Sequence, residues 1–216
     1  MKTIGIKSVL VNTHYFSECV HDFLSQSQFN KWVDIAYEKK LLGTAGSVRK
    51  NIDFYRDSTL LLVHADNWTC CDLSKFLFYH HNQRPKGTVI TMMTFNCPNP
   101  LSCGIVELDK NGVVIRFHEK IKNPPGSLAN AAVYLLDPLV VEWIESHPEV
   151  SDFSTGVLPN FIGKIATWEN REVHRDIGTI DMLIKSQTDS CKQPIWGSNN
   201  LWQQSFLEHP IHKMIK

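Results

Sequence analysis

The chain has 216 residues, enough for one substantial α/β domain with a sizeable apolar core. Its 22 Lys and Arg balance 22 Asp and Glu, so net charge gives no reason to expect a polyanionic partner, and nucleic-acid binding is set aside. Six scattered cysteines form no C-x-x-C pair; they fit neither a zinc module nor a disulfide framework, which makes a reducing cytoplasm the simplest setting. The residues up to His14 hold a short apolar run without a small-residue cleavage site, and no segment approaches the length of a membrane helix. A soluble, unprocessed protein with no membrane partner is expected.

In chain order, residues 6–12 form a short β-rich run, residues 15–29 carry apolar side chains at helical spacing, and residues 31–37 alternate again, a β-α-β unit. A Gly-rich stretch follows, then a short helix over 47–55. Leu60, Leu61, Leu62 and Val63 are continuous rather than alternating, as in a strand buried on both faces of a parallel sheet. Residues 72–81 place Leu73, Phe76 and Leu77 on one helical face, and residues 88–95 read as strand. The texture changes at Cys103. Ile105, Val106 and Leu108, then Asn111-Gly112, then Val113, Ile115 and Phe117 predict an antiparallel hairpin with a primed turn. Residues 130–136 are strand, Pro138 opens a helix through Ser146, residues 153–162 are read as helix, and 168–173 return as strand. The fold class is α/β, a doubly wound mixed sheet with an antiparallel excursion. One domain is expected over residues 1–190. Beyond it lies a tail whose Trp196, Leu201, Trp202 and Phe206 either pack on the sheet or make a homo-oligomer contact.

Chemistry enters with the carboxylates. Asp66 lies just past the strand ending at Val63, at the end where open α/β sheets place ligands. Asp176 precedes Ile177-Gly178-Thr179, where glycine permits a tight turn and Thr179 can cap the next helix. Either acid alone reads equally as a cap or turn former. As a pair they have the composition of a Mg²⁺ site, since magnesium at phosphate sites takes one or two carboxylates plus phosphate oxygens. Leu42, Gly43, Thr44, Ala45 and Gly46 form a stretch whose backbone can approach a flat ring or a phosphate, or simply connect strand to helix. It is neither a Walker loop nor a G-x-G-x-x-G fingerprint.

Seven segments in one order then carry a resemblance: Leu42-Gly43-Thr44-Ala45-Gly46; His64-Ala65-Asp66-Asn67; Gly104 to Asp109 with the Asn-Gly turn; Phe117-His118-Glu119-Lys120; Asn130-Ala131-Ala132-Val133-Tyr134; Asp152 to Thr155 with Leu158-Pro159; and Asp176-Ile177-Gly178-Thr179. Together they resemble the sugar-1-phosphate nucleotidyltransferases over residues 4–187, nearest the mannose- and heptose-1-phosphate guanylyltransferase branch. Ile121 stands where that family has proline, and Ala132 where it has glycine. The resemblance implies transfer of a nucleoside monophosphate from a nucleoside triphosphate, GTP by the branch, to a sugar 1-phosphate, with pyrophosphate released. It assigns Mg²⁺ to Asp66 and Asp176, the sugar phosphate to Lys120, sugar hydroxyls to Gly104, Glu119 and Asn130, and the base to residues 42–46. Glu38, before that loop, either supports the nucleotide site or ends a strand exposed to water, the second reading being preferred. The family's first strand, its G-x-G-T-R phosphate loop and its P-K-P segment have no counterpart before Ile6, so impaired activity is expected. The alternative is a non-catalytic sugar-nucleotide-binding or regulatory homologue.

Overall fold

The computed structural model describes residues 4–26, 29, 31–190 and 208; the expected packing of the aromatic tail lies outside them. These residues form two compact units, one of residues 4–64 with 72–171 and one of residues 65–71 with 172–190.

In the first unit, β1 (Val9–Thr13) and β2 (Val33–Tyr37) pair in parallel, joined through α1 (Ser17–Leu24). The β-α-β reading holds, with a shorter helix. The remaining strands are β3 (Leu60–Val63), β5 (Ile90–Asn96), β6 (Gly104–Leu108), β7 (Val114–Glu119), β8 (Leu128–Leu136) and β9 (Ile165–Glu169). They make a six-stranded mixed sheet in the order β7-β6-β8-β5-β9, with β3 pairing β8. Leu136 bonds both β3 and β5, and Ala129 both β6 and β5, so β3 and β6 share one edge of β8.

Continuous apolar sequence at β3 predicts a strand buried in a parallel sheet. It is instead antiparallel to β8 and only half-buried over all four residues. Among the described residues β3 pairs with β8 alone and β1 with β2 alone, so each leaves one edge without a strand partner. An unpaired edge keeps its neighbouring side chains near solvent, which apolar composition does not reveal.

Helices α2 (Thr44–Lys50) and α4 (Pro138–Ser146) belong to this unit's core. Proline at the start of α4 lacks only an N–H that the first turn leaves unpaired. Val140, Val141 and Ile144 then face the core at helical spacing, as the sequence predicts. Phe153, Val157, Leu158 and Phe161 complete it, but the expected helix over 153–162 is a π turn (Phe153–Val157) followed by a 3-10 turn (Leu158–Phe161). Pro159 has no N–H to continue an α ladder. The hairpin turn also differs. Only Gly112 has positive φ, and the Asp109 carboxylate accepts from the N–H groups of Asn111 and Val113, so Asp109 organises the turn in place of a primed Asn-Gly pair. The last strand falls at Ile165–Glu169 rather than 168–173, its register set by parallel pairing of Ile90 with Ile165.

Strand β8 bulges at Ala131 to Val133 opposite β5, and Ala132 has φ 52°. Left-handed backbone favours glycine, which gives a physical reason for the glycine usual at this place. Ala132→Gly is expected to stabilise the protein by about 1 kcal/mol, read as a higher midpoint in urea.

Helix α3 (Leu73–Asn82) starts with the Asp72 carboxylate accepting from Lys75 N–H, and it buries Phe76 and His80 one turn apart. His80 is 1% exposed, its Nδ1 2.7 Å from Thr91 Oγ1 and its Nε2 3.3 Å from Asp137 Oδ1, while Arg84 bonds the other Asp137 oxygen at 2.7 Å. Burial, reinforced by Arg84 and opposed by Asp137, pushes His80 down to about 4. The folded protein thus binds a proton less readily than the unfolded chain, where histidine titrates near 6.5. Stability is full above about pH 6.5 and is lost as pH falls toward 4. Thermal melts between pH 7 and 4 should show this decline, with a shallower slope in His80→Gln.

Candidate active site

The second unit is built on β4 (Asn67–Thr69) and β10 (His174–Asp176), an antiparallel pair that sets Asp176 opposite Asn67. The Ile177 N–H donates to the Asp66 carbonyl at 2.9 Å. Two acids more than a hundred positions apart in sequence therefore occupy neighbouring backbone positions, and both are exposed. Arg175 anchors β10 by a two-pronged bond to Asp189, at 2.6 and 2.8 Å. Asp176 Oδ1 accepts from Gly178 N–H at 2.8 Å, and a Cβ on Gly178 would lie 2.9 Å from that oxygen, so any larger residue there would shift the Asp176 side chain. Thr179 caps α5 (Ile180–Ser186) as expected, accepting from Met182 N–H.

Two carboxylates suit Mg²⁺, a hard cation that takes oxygen donors and completes its shell with phosphate and water. The described residues hold no cluster of three or more His, Cys, Asp or Glu that could hold a metal ion by itself. Cys70, next to β4, is disulfide-bonded. Cysteine spacing fits no disulfide framework and gives no sign of this single bond.

In the first unit, the stretch Leu42 to Gly46 is clamped rather than open. Gly43 has φ 75° and a Cβ there would meet the Ser151 carbonyl oxygen at 2.4 Å. The Ala45 and Gly46 N–H groups donate to that same oxygen, and Thr44 Oγ1 accepts from Phe153 N–H at 2.7 Å. Glu38 holds the other side. It is 1% exposed, accepting from Leu42 N–H at 3.3 Å and from Ser47 Oγ at 2.6 Å. The expectation of a water-exposed Glu38 is overturned, because the chain folds back over the strand end, which periodicity cannot show. Gly43→Ala combines backbone strain with a clash against a main-chain oxygen and should cost about 3 kcal/mol, measured as a lower unfolding midpoint.

Gly104, Glu119, Lys120 and Asn130 lie on the β6-β7-β8 portion. Gly104 pairs with Glu119, and a Cβ on Gly104 would sit 2.6 Å from the Phe117 ring and 2.8 Å from the Glu119 carboxylate, so glycine gives both side chains their room. Burial, with Asp152 adding to it and Lys120 opposing, raises the Glu119 carboxyl above its ordinary range. Lys120 has φ 49°, and its ammonium, largely exposed, lies 3.9 Å from Glu119. Asn130 donates to the Tyr134 hydroxyl at 2.6 Å and accepts from Ala132 N–H at 3.0 Å, bracing the bulge; an amide still has one donor and one acceptor position to offer. Tyr134 is fully buried, bonded also to Ser154, and raised by burial. Asp152 and Tyr134 were not singled out as site residues from sequence. Asp152 caps the turn at 153–157 through Thr155 while its charge acts on Glu119.

The family described as nucleotidyl transferase matches residues 1–193. The chain belongs to that family. It is 25% identical over 190 residues to a mannose-1-phosphate guanylyltransferase of Mycobacterium tuberculosis, covering 86% of this chain and 52% of that one. It is 27% identical over 175 residues to a UTP-glucose-1-phosphate uridylyltransferase of Synechocystis, covering 73% and 44%. The chain thus spans about half the length, or less, of these relatives. Among solved structures, a putative glucose-1-phosphate thymidylyltransferase from Bacillus anthracis superposes with TM-score 0.73 at 21% identity, over 86% of this chain and 76% of that one. HddC from Yersinia pseudotuberculosis complexed with GMP-PN gives 0.68 at 20%, over 86% and 79%. The nucleotidyltransferase fold is established by these likenesses.

Proposed function

We propose that the chain is a sugar-1-phosphate nucleotidyltransferase of the cytoplasm, taking GTP and a mannose- or heptose-type 1-phosphate and releasing pyrophosphate. The observation that carries this reading is the β4-β10 ladder, which sets Asp66 and Asp176 on adjoining strand ends in a chain of this family. Similarity to the guanylyltransferase of M. tuberculosis supports the choice of base.

The residues divide the work by chemistry. A sugar-phosphate oxygen attacks the α-phosphorus and pyrophosphate leaves, so the protein contributes alignment and charge neutralisation rather than a covalent intermediate. Asp66 and Asp176 would hold Mg²⁺, which when bound neutralises phosphate charge. Lys120 supplies a compact positive charge for the sugar phosphate, held near the strand end by its backbone and free to swing at its exposed tip. Glu119 accepts from sugar hydroxyls, and Asn130 offers both a donor and an acceptor. Gly104 keeps the floor under Glu119 clear. Residues Leu42, Gly43, Thr44, Ala45 and Gly46 read the base edge.

The Ala45 and Gly46 N–H groups are both engaged by Ser151, so residues 42–46 would read the base through their remaining groups; a homologue that binds a nucleotide sugar without catalysis is the second reading. Pyrophosphate release is to be measured with Mg²⁺ across a panel of nucleoside triphosphates and sugar 1-phosphates. Release dependent on one pair is expected; saturable binding of a nucleotide sugar without any release overturns catalysis and leaves the second reading.

A further inference from the structure

Strand β5 ends at Asn96 and β6 begins at Gly104, on opposite edges of β8, so the chain between them arches over the start of β8. Cys97 and Cys103 stand at the two feet of this arch. Their sulfurs are 2.8 Å apart, inside van der Waals contact but longer than the roughly 2.05 Å of a disulfide. Each foot is held by its own backbone bond, Cys97 N–H to Ser127 O at 2.8 Å and Cys103 N–H to Pro100 O at 3.3 Å, and the arch contains a 3-10 turn at Pro100–Ser102. Cys97, Ile105 and Ala129 form a small apolar cluster against which Phe95 and Cys103 pack. The sulfurs are thus positioned by the sheet rather than by chance contact of mobile side chains.

We propose that Cys97 and Cys103 form a reversible disulfide that closes the arch and fixes the strand end carrying Gly104. The two thiols divide the chemistry by exposure. Cys97 is buried, 6% exposed, and burial together with its contact to Cys103 pushes its thiol up to about 12; Cys103 is more open to solvent. With hydrogen peroxide as oxidant, the Cys103 thiolate attacks one peroxide oxygen, the O–O bond breaks, and hydroxide leaves, giving a sulfenic acid at Cys103. The Cys97 sulfur then attacks the Cys103 sulfur. The S–O bond breaks, and the departing hydroxide takes the Cys97 proton as water. Two thiols are oxidised by two electrons in total, and one peroxide is reduced to two waters. A dithiol reductant reverses the change by exchange.

Gly104 lies directly after Cys103 and against the Glu119 carboxylate, so closing the arch bears on the face assigned above to the sugar. That consequence, unlike the disulfide itself, rests on the function proposed above. The folded 216-residue chain is treated with hydrogen peroxide, alkylated and mapped by peptide mass, then reduced with dithiothreitol and mapped again. The expected result is a new peptide linkage, beyond that of Cys70, joining Cys97 to Cys103 and lost in Cys97→Ala and in Cys103→Ser, together with roughly tenfold slower amide exchange at 98–104 in the oxidised protein, from closure of so short a loop. Recovery of both cysteines alkylated, or of Cys103 carried on to sulfinic acid with Cys97 free, overturns the proposal. So does a linkage that leaves exchange at 98–104 unchanged. In the pyrophosphate-release assay, a change in KM for the sugar phosphate and not for the nucleotide is expected on oxidation. An unchanged KM removes the link to the sugar face, while absence of release in both redox states counts against the assigned function and leaves the disulfide to the mass map.

Discussion

On the proposed function, alanine in place of Asp66 should lower the rate of pyrophosphate release by about a thousandfold, the equivalent of roughly 4 kcal/mol of transition-state stabilisation. The fold should barely notice. Asp66 is exposed, and the contact it makes across the strands is through its main-chain carbonyl, which alanine keeps. Asp176→Ala should match the loss of rate but also remove the bond from Gly178 N–H, lowering stability by about 1 kcal/mol. Because both carboxylates are assigned to one ion, their losses should not multiply, and the double variant should be no slower than the worse single one. Steady-state kinetics with a magnesium titration decides the matter. Two independent, multiplying losses with an unchanged magnesium requirement would assign the acids to turn formation alone.

Removing the Glu38 carboxylate has as large an expected effect on stability as Gly43→Ala. Its two oxygens accept from Leu42 N–H and from the Ser47 hydroxyl, which serves as a tie from strand end to helix across the turn between them. Glu38→Ala leaves the Leu42 N–H without its acceptor and the Ser47 hydroxyl with the Gly43 carbonyl alone, and should cost about 3 kcal/mol. For a chain of this size that is a fall in Tm of about 10 °C. Glu38→Gln keeps one acceptor and should lose about half as much. Calorimetry gives the midpoints, and hydrogen exchange should show the amides of 42–47 opening first. A melt unchanged in Glu38→Ala would mean that the clamp at Gly43 and Ser151 alone holds the loop.

Much of the fold was legible because the relevant forces are local. Apolar spacing placed α3 and α4, Pro138 marked the start of α4, and Thr179 capped α5 as read. What failed also failed for local reasons. Asp109, two residues before Asn111-Gly112, takes the turn's N–H groups with its own carboxylate, and Pro159 divides a segment whose apolar content looked helical. The candidate site was legible in a different way. Asp66 and Asp176 were picked for their chemistry and strand-end positions, and only the β4-β10 pairing put them side by side.

The sequence by itself determined the α/β class, most elements and the family, since these follow from periodicity, caps and motif order along one chain. Tertiary structure alone decided that Glu38 is buried, that Ser151 closes the loop from Leu42 to Gly46, that Ala132 takes a left-handed backbone, and that Cys97 meets Cys103. Burial and contact depend on which distant segment comes to lie over a residue. That choice is made by the packing of the whole sheet, and no window of neighbouring residues contains it.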